Sequence, residues 1–388
     1  MHVGGMEPIV IEGECNRAIV YAKAMDENCK GSVLQYLNHP LFADTKVRIM
    51  PDVHFGREAL VGFTATCNEY VIPSLIGVDI GCGINAYNLG KGNVACDKLD
   101  KYIRKHIPVG KMLHPSVCES LEAAYAYVGD HAMPFAAFGE NIATLAAKLK
   151  IPVERVWNAL GTLGGGNHFI EIDRDEAQCR WLLIHTGSRN FGLQVAMYHQ
   201  KLASKRTSDE SNIKFLSGMA AEEYIADMTF AQFYARVNRA LIAYQIGCDF
   251  FKIAHDRLIA IESVHNYIDF EHKIIRKGAI SAQKGEPLVI PFSMADGAII
   301  GVGKGSGEWN YSAPHGSGRK LSRTQAKELS LDQYRTQMKG VWSSCINENT
   351  LDESPMAYKS SKDILNFVED TLSVTNRLRP IYNFKADV

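Results

Sequence analysis

Apolar side chains return at three- and four-residue steps from Tyr224 through Met228, Phe233, Val237 and Leu241 to Tyr244. That spacing lays one apolar stripe along a helix. It predicts that residues 219–264 form the longest helical stretch, with the stripe in the core and a break or bend at Gly247. Shorter runs that mix Leu, Tyr and Ala with charges predict helices over 97–106 and 116–128, and two more over 139–149 and 152–160. Residues 59–89 are rich in Val, Ile, Thr and aromatics with Gly and Pro punctuation, which predicts strands and turns. Trp181-Leu182-Leu183-Ile184 reads as a buried strand, and residues 287–302 return to strand character. Residues 9–50 read as a short strand, a helix and a mixed segment ending in Val47-Arg48-Ile49-Met50. The alternating Gly301, Gly303, Gly305 and Gly307 predict a flexible loop, and Ser322 with Gln325 has the capping-box spacing that opens a helix toward Trp342. Strands and helices come in blocks without βαβ alternation, which predicts an α+β fold over a doubly wound one.

Composition narrows the class. The 388 residues are 46% hydrophobic and 22% charged, ordinary for a globular chain, and the length alone suggests two domains. Net charge is −1, from 42 basic and 43 acidic residues, so any contact with nucleic acid must come from a local cluster. Nine scattered cysteines without a C-x-x-C pair predict a reducing, cytoplasmic setting. The first residues do not read as a signal peptide, and no apolar run reaches the ~18 residues of a membrane span.

Candidate chemistry begins with Asp79-Ile80-Gly81-Cys82-Gly83, an oxygen ligand and a sulfur ligand three positions apart among glycines. A buried cysteine in a turn capped by Asp79 is the plainer alternative. Gly164-Gly165-Gly166-Asn167-His168 offers free backbone N–H groups and an imidazole, or else a flexible loop with a surface histidine. His185 follows the buried strand 181–184 and is either a site residue or a satisfied core histidine. His265 closes the long helical stretch, where alone it would be a C-terminal cap. His315-Gly316-Ser317-Gly318-Arg319 follows the glycine-rich loop, and a neutral imidazole there can attack phosphorus. Arg319 and Arg323 add phosphate donors. Asp79, Cys82, His168, His185 and His265 together suffice for two metals sharing the thiolate, zinc by ligand type with manganese as the lesser option.

The motifs Met50-Pro51-Asp52-Val53-His54, Gly77 to Gly83, Gly165 to Phe169, His185 to Arg189, His265-Asn266-Tyr267, Arg276 to Ala279, His315 to Arg323, Asp352 to Lys359 and the terminal Lys385 resemble, in order, those of the RtcB family of RNA ligases. The resemblance implies one compact α+β domain over 1–388, with packed sheets, in place of two. It implies an enzyme that uses GTP and two Mn²⁺ ions to join RNA 3′-phosphate or 2′,3′-cyclic phosphate ends to 5′-hydroxyl ends. It makes His315 the nucleophile that carries guanylate, and Asp79, Cys82, His168, His185 and His265 the manganese ligands. By the same resemblance the nucleotide is held by Asn167, His168, Phe169, Glu171, His265, Asn266, Pro291, Phe292, Ser293, Met294, His315, Gly316, Ser317, Gly318, Tyr358 and Lys385. Arg189, Arg319 and Arg323 match phosphate or RNA contacts. An activating protein partner is left open, and no membrane partner is implied.

The chain departs from the family pattern at Glu58, Phe292, Ala295 and Ala298, and at Ser317, where a backbone contact would survive. These departures bear on nucleotide and RNA preference more than on the chemistry. Two alternatives stand beside the ligase: an inactive relative that binds RNA ends or works with the translation machinery, and a metal phosphodiesterase acting on cyclic phosphates.

Overall fold

A seven-stranded antiparallel sheet carries most of the architecture. Its spatial order is Pro287–Pro291, Ala298–Gly303, Leu372–Lys385, Phe169–Arg174, Cys179–Thr186, Gly83–Lys91 and Ala260–Val264. The computed structural model describes residues 7–56, 59–126, 128, 133–208 and 212–387. The sheet curls until its first strand meets its last, where the backbone N–H of Val289 donates to Ser263 Oγ at 2.9 Å. Strand alternation then sends one set of side chains inward. Ile84, Ala86, Phe169, Trp181, Leu183, Val289, Ala298, Ile300 and Leu378 form one apolar cluster there. The opposite face packs Ile170, Ile172, Leu182 and Ile184 against Leu99 and Ile103 of the helix Cys96–His106.

A second sheet has the order Ile9–Glu12, Arg17–Val20, Val47–His54, Val61–Thr66, Ile274–Lys277 and Asn266–Asp269, with one parallel pair, Arg17–Val20 beside Val47–His54. It shares the largest core with the helices Phe135–Leu149, Arg189–Arg206 and Met219–Tyr244. A short ribbon pairs Ala279–Ser281 with Ser312–Pro314. The α+β reading holds, in one compact body. Among the described residues no helix is long and apolar enough to cross a membrane.

Four local expectations change. The long helix ends at Tyr244, not at 264. A π-helical turn, Gln245–Phe250, follows, and Ala260–Val264 is an edge strand paired with Gly83–Lys91. The apolar stripe also stops at Tyr244, and the β-branched Ile259, Ile261 and Val264 beyond it favour a strand. His265 is therefore no helix cap; it lies just past a strand. The stretch 116–128 is helical only over Leu121–Tyr125, with Tyr127 outside the described residues. Gly301 and Gly303 belong to the strand Ala298–Gly303, so the loop starts after them. Ser322 does form a capping box with Gln325, but the helix it opens is only Arg323–Ala326, followed by a separate Leu331–Gln337.

The helix Met219–Tyr244 also carries Arg239, which is fully buried. Its guanidinium donates to Asn85 Oδ1 at 2.8 Å, to the carbonyls of Gly81 and Thr186 at 2.9 Å each, and to Glu262 Oε1 at 2.9 Å. It thus ties the turn before one central strand to the end of the next. Arg239→Met leaves Glu262 and two carbonyls without that donor in a dry interior, and should cost about 3–5 kcal/mol of stability. Urea unfolding followed by circular dichroism measures it.

Candidate metal centre and nucleotide cavity

Antiparallel order puts the end of each strand beside the start of its neighbour, and the register sets four of these ends in one row. Phe169 pairs with His185, Gly83 with Thr186, and Gly83 with Val264. His168 precedes the first of these strands, His185 is in the penultimate position of the second, Cys82 precedes the third, and His265 follows the fourth. Cys82 is thereby brought 3.2 Å (Sγ to Nε2) from His185 and 3.5 Å from His168 Nε2. His185 and His265 face each other Nε2 to Nε2 at 3.1 Å, and Asp79 Oδ2 lies 3.0 Å from His168 Nε2. The result is two donor triads, Asp79–Cys82–His168 and Cys82–His185–His265, that share the thiol. The turn that presents Asp79 and Cys82 needs Gly81: its φ is +68°, and a Cβ there would sit 2.7 Å from the Gln232 backbone. At Gly187 a close approach does the same, since a Cβ would meet Asp79 Oδ1 at 2.2 Å.

The donors are oriented from behind. His168 Nδ1 contacts the Leu163 carbonyl at 3.0 Å and His185 Nδ1 the Asn167 carbonyl at 3.1 Å. A carbonyl can only accept, so each Nδ1 carries the hydrogen and each Nε2 turns a lone pair inward. The His185 lone pair meets His265 and a sulfur, and the His168 lone pair meets a carboxylate. Such an arrangement repels itself unless a cation sits among the donors, and the donor set fits one or two transition-metal ions. Burial holds His185 and His265 well below the usual histidine range, as neutral ligands must be. Burial, then the Asp79 charge, pushes the Cys82 thiol well above its usual range.

His315 stands next to this cluster, its ring centroid 4.7 Å from that of His265. Asp52 Oδ2 lies 2.6 Å from His315 Nδ1, close in distance but out of hydrogen-bond alignment, and accepts the backbone N–H groups of His315 and Gly316 at 3.1 and 3.2 Å. Asp52 is fully buried in the strand Val47–His54. The other side of His315 lines a cavity of about 940 Å³. Asn167, Phe169, Glu171, Pro291, Phe292, Ser293, Met294, Gly316, Ser317, Gly318, Tyr358 and Lys385 line it as well, as do Arg319 and Arg323.

Other candidates are turned to internal work. Asn266 donates to the Asp79 carbonyl at 3.1 Å and accepts the Gly278 N–H at 3.1 Å, so it braces the ligand turn away from the cavity. Arg189 lies behind His168, bound to Thr162 Oγ1 and the Gly110 carbonyl at 3.1 Å each. Arg319 and Arg323 meet Glu353 at 3.3 and 2.7 Å, and Lys385 meets it at 3.2 Å. Burial opposes the charge on Glu353, but Lys385, Arg323, the Tyr358 hydroxyl at 2.5 Å and Arg319 bring its carboxyl down to about 2. Of the departures, Phe292 and Ser317 line the cavity, Ala298 faces the inner core, and Glu58 lies outside the described residues.

Sequence reasoning gave no role to Asp52, Glu353 or Asn383. Asp52 had a signal: an acid inside the apolar strand Val47-Arg48-Ile49-Met50-Pro51-Asp52-Val53 is rarely buried without a purpose. Glu353 and Asn383 had none, because their partners are distant in sequence.

If the two triads hold metal, Co²⁺ added to the protein should give a thiolate-to-metal charge-transfer band. Cys82→Ala should lose the band and weaken binding by at least about a hundredfold. The thiol is protonated before metal arrives, so binding should release a proton and tighten as pH rises. Absorbance titration in weakly buffered solution reads both effects.

The family model described as RtcB, tRNA-splicing ligase RtcB, matches residues 35–386. The chain is 28% identical over 376 residues, 88% of this chain and 90% of the relative, to the RNA-splicing ligase RtcB of Escherichia coli (strain K12). It is 26% identical over 420 residues to the tRNA-splicing ligase RtcB of Nanoarchaeum equitans, covering 87% of each. With the tRNA-splicing ligase RtcB of Aeropyrum pernix it shares 28% over 392 residues, 80% of this chain and 81% of that one. The chain belongs to the RtcB family of tRNA-splicing ligases.

Proposed function

We propose that this protein joins RNA 3′-phosphate or 2′,3′-cyclic phosphate ends to 5′-hydroxyl ends, with GTP as the source of activation and His315 as the carrier of guanylate. The observation that carries the proposal is the position of His315, between the donor cluster and the cavity, with Asp52 against its Nδ1. Asp52 favours the tautomer with hydrogen on Nδ1 and stabilises the positive charge that grows on the ring when Nε2 attacks. Nε2 then forms a bond to the α-phosphorus of GTP while the bond to the β-phosphate oxygen breaks and pyrophosphate departs. A cyclic phosphate, where present, is first opened by water to a 3′-phosphate. An oxygen of that phosphate displaces His315 from the guanylate, giving an RNA–guanylate anhydride. The 5′-hydroxyl attacks the 3′-phosphorus, loses its proton, and guanylate leaves.

In this reading Asp79, Cys82, His168, His185 and His265 hold two Mn²⁺ ions, which when bound would neutralise phosphate charge and activate the attacking groups. Phe169, Glu171, Pro291–Met294, the 315–318 loop, Tyr358 and Lys385 surround the guanine nucleotide, with Asn167 at its edge and Asn266 bracing the ligand turn. Arg319 and Arg323 meet phosphate as well as Glu353. Arg189 supports His168 from behind in place of meeting RNA. Burial keeps His54, whose ring centroid lies 6.4 Å from that of His315, down at about 4, so it is neutral at physiological pH. Neutral net charge accords with a site that meets RNA ends instead of a long duplex. The same reading sets the protein in the cytoplasm.

The test is incubation with Mn²⁺, α-labelled GTP and an RNA bearing 3′-phosphate and 5′-hydroxyl ends. Wild type should take label on His315 and yield joined RNA; His315→Ala should do neither. Opening of the cyclic phosphate with no label on His315 and no joined RNA would instead favour the phosphodiesterase. Asp52→Asn, which keeps the shape but not the charge, should slow labelling by about a hundredfold or more. Single-turnover labelling measures that loss.

A further inference from the structure

Two carboxyl groups sit on the inner face of the curled sheet where neither is needed for packing. Glu171 and Asp173 are two apart on Phe169–Arg174 and so point the same way. Glu171 is 3% exposed and Asp173 fully buried. Register fixes what faces them. Glu171 lies between Asn383 and Leu183, and Asp173 between Pro380 and Trp181. Trp181 does not help Asp173, because its Nε1–H goes to Asp175 at 3.0 Å. Asn383 donates through Nδ2 to Glu171 Oε2. Among the described residues neither acid forms an ion pair, and both Asp173 oxygens find no donor; the Glu171 carboxyl beside them can only accept from Asp173. The cation whose charge reaches Glu171 is Lys385 on the adjacent strand, already engaged with Glu353. Two ionised carboxylates in such a place would each carry a large desolvation cost and repel one another. Burial accordingly pushes both groups up; the Glu171 carboxylate pushes Asp173 further, while Asp173, Asn383 and Lys385 hold Glu171 back.

With Glu171 taken as the carboxylate that faces the base, we propose that Asp173 holds a proton which it donates to Glu171, and so keeps Glu171 matched to a purine edge with two adjacent N–H donors and not to one with a donor beside an acceptor. Guanine has the first edge and adenine the second. The proposal rests on the nucleotide reading of the cavity given above and adds to it the residue that sets the state of Glu171. An ionised carboxylate offers about four acceptor positions. Asn383 and the Asp173 hydroxyl occupy two on the protein side, and two remain toward the cavity, which Glu171 lines. These match the ring N–H and amino group of guanine. Once Glu171 takes a proton of its own it presents a donor beside an acceptor, which is the complement of adenine. Preference for guanine should therefore fall as pH moves from mildly alkaline to mildly acidic. Asp173 is a positioning residue here, acting through Glu171.

The experiment reads equilibrium binding of GTP and of ATP to the metal-loaded protein by calorimetry across that pH range, with Asp173→Leu and Asp173→Asn. Asp173→Leu removes the donor, so Glu171 protonates more readily and the GTP-over-ATP ratio should drop by about tenfold or more at neutral pH. A packing defect alone would weaken both nucleotides together and leave the ratio in place. Asp173→Asn keeps a donor but cannot ionise, and should rescue the ratio to within about threefold of wild type. Independently of any nucleotide, the infrared difference between wild type and Asp173→Asn at neutral pH should contain the C=O band of a protonated carboxyl. Absence of that band, equal wild-type affinity for GTP and ATP, or an unchanged ratio in Asp173→Leu overturns the proposal. Selective GTP binding without label on His315 overturns the ligase reading and leaves the acid pair standing.

Discussion

The site depends on holding four strand ends and one tight turn in a single row, and Arg239 is the group that does it. Its guanidinium reaches the Gly81 carbonyl in the ligand turn, the Thr186 carbonyl beyond His185, and Asn85 and Glu262 on the two strands that flank Cys82 and His265. A planar fork with five donors can serve four separate acceptors at once, which a lysine cannot. Asn238, one residue earlier on the helix, donates to the Gly187 and Thr162 carbonyls at 3.2 and 3.1 Å. These two neighbouring residues thus fix the backbone beside Cys82 and His185. The sheet supplies convergence, and the helix keeps the converged donors from relaxing apart, as lone pairs facing lone pairs would otherwise do.

Charge around the cavity is balanced in a related way. Glu353 is buried and gathers Arg319, Arg323, Lys385 and the Tyr358 hydroxyl, so three cations stand at the wall without repelling each other while the cavity is empty. In the proposed function, a nucleoside triphosphate entering there would compete with Glu353 for cations already oriented, which would remove much of the side-chain entropy cost of binding. The cations read from sequence as phosphate contacts are real neighbours of the cavity. What sequence could not supply is that an acid thirty residues away holds them in place.

The α+β class was legible because strands and helices come in blocks. The residues that converge in the donor cluster were legible because each has its own glycine- or asparagine-marked setting. The curl of the large sheet was not, since it follows from twist and from contact between first and last strands, and neither leaves a local pattern. The helix predicted through 264 failed for a related reason. Its stripe ends at Tyr244, and the residues after it are drawn into an edge strand by the unpaired side of Gly83–Lys91, a tertiary pull that overrides local propensity. Asn266, read as a nucleotide contact through resemblance, has both ends of its amide used by backbone.

Alternation along one strand gives the site its layout. Successive inward residues of Phe169–Arg174 are Phe169, Glu171 and Asp173, and the first pairs across with His185. From the metal centre inward the wall therefore changes from aromatic to carboxylate to a second, sealed carboxylate in steps of about 7 Å, two residues of strand rise. In the proposed function, a nucleotide with its α-phosphate at His315 would direct its two ends along this wall and toward the Glu353 cluster. The triphosphate would go to the cations gathered there, which would leave the base to meet Glu171. The same two-residue period that buries the core of the sheet would thus set the distance between the phosphorus at His315 and the carboxylate proposed to face the base.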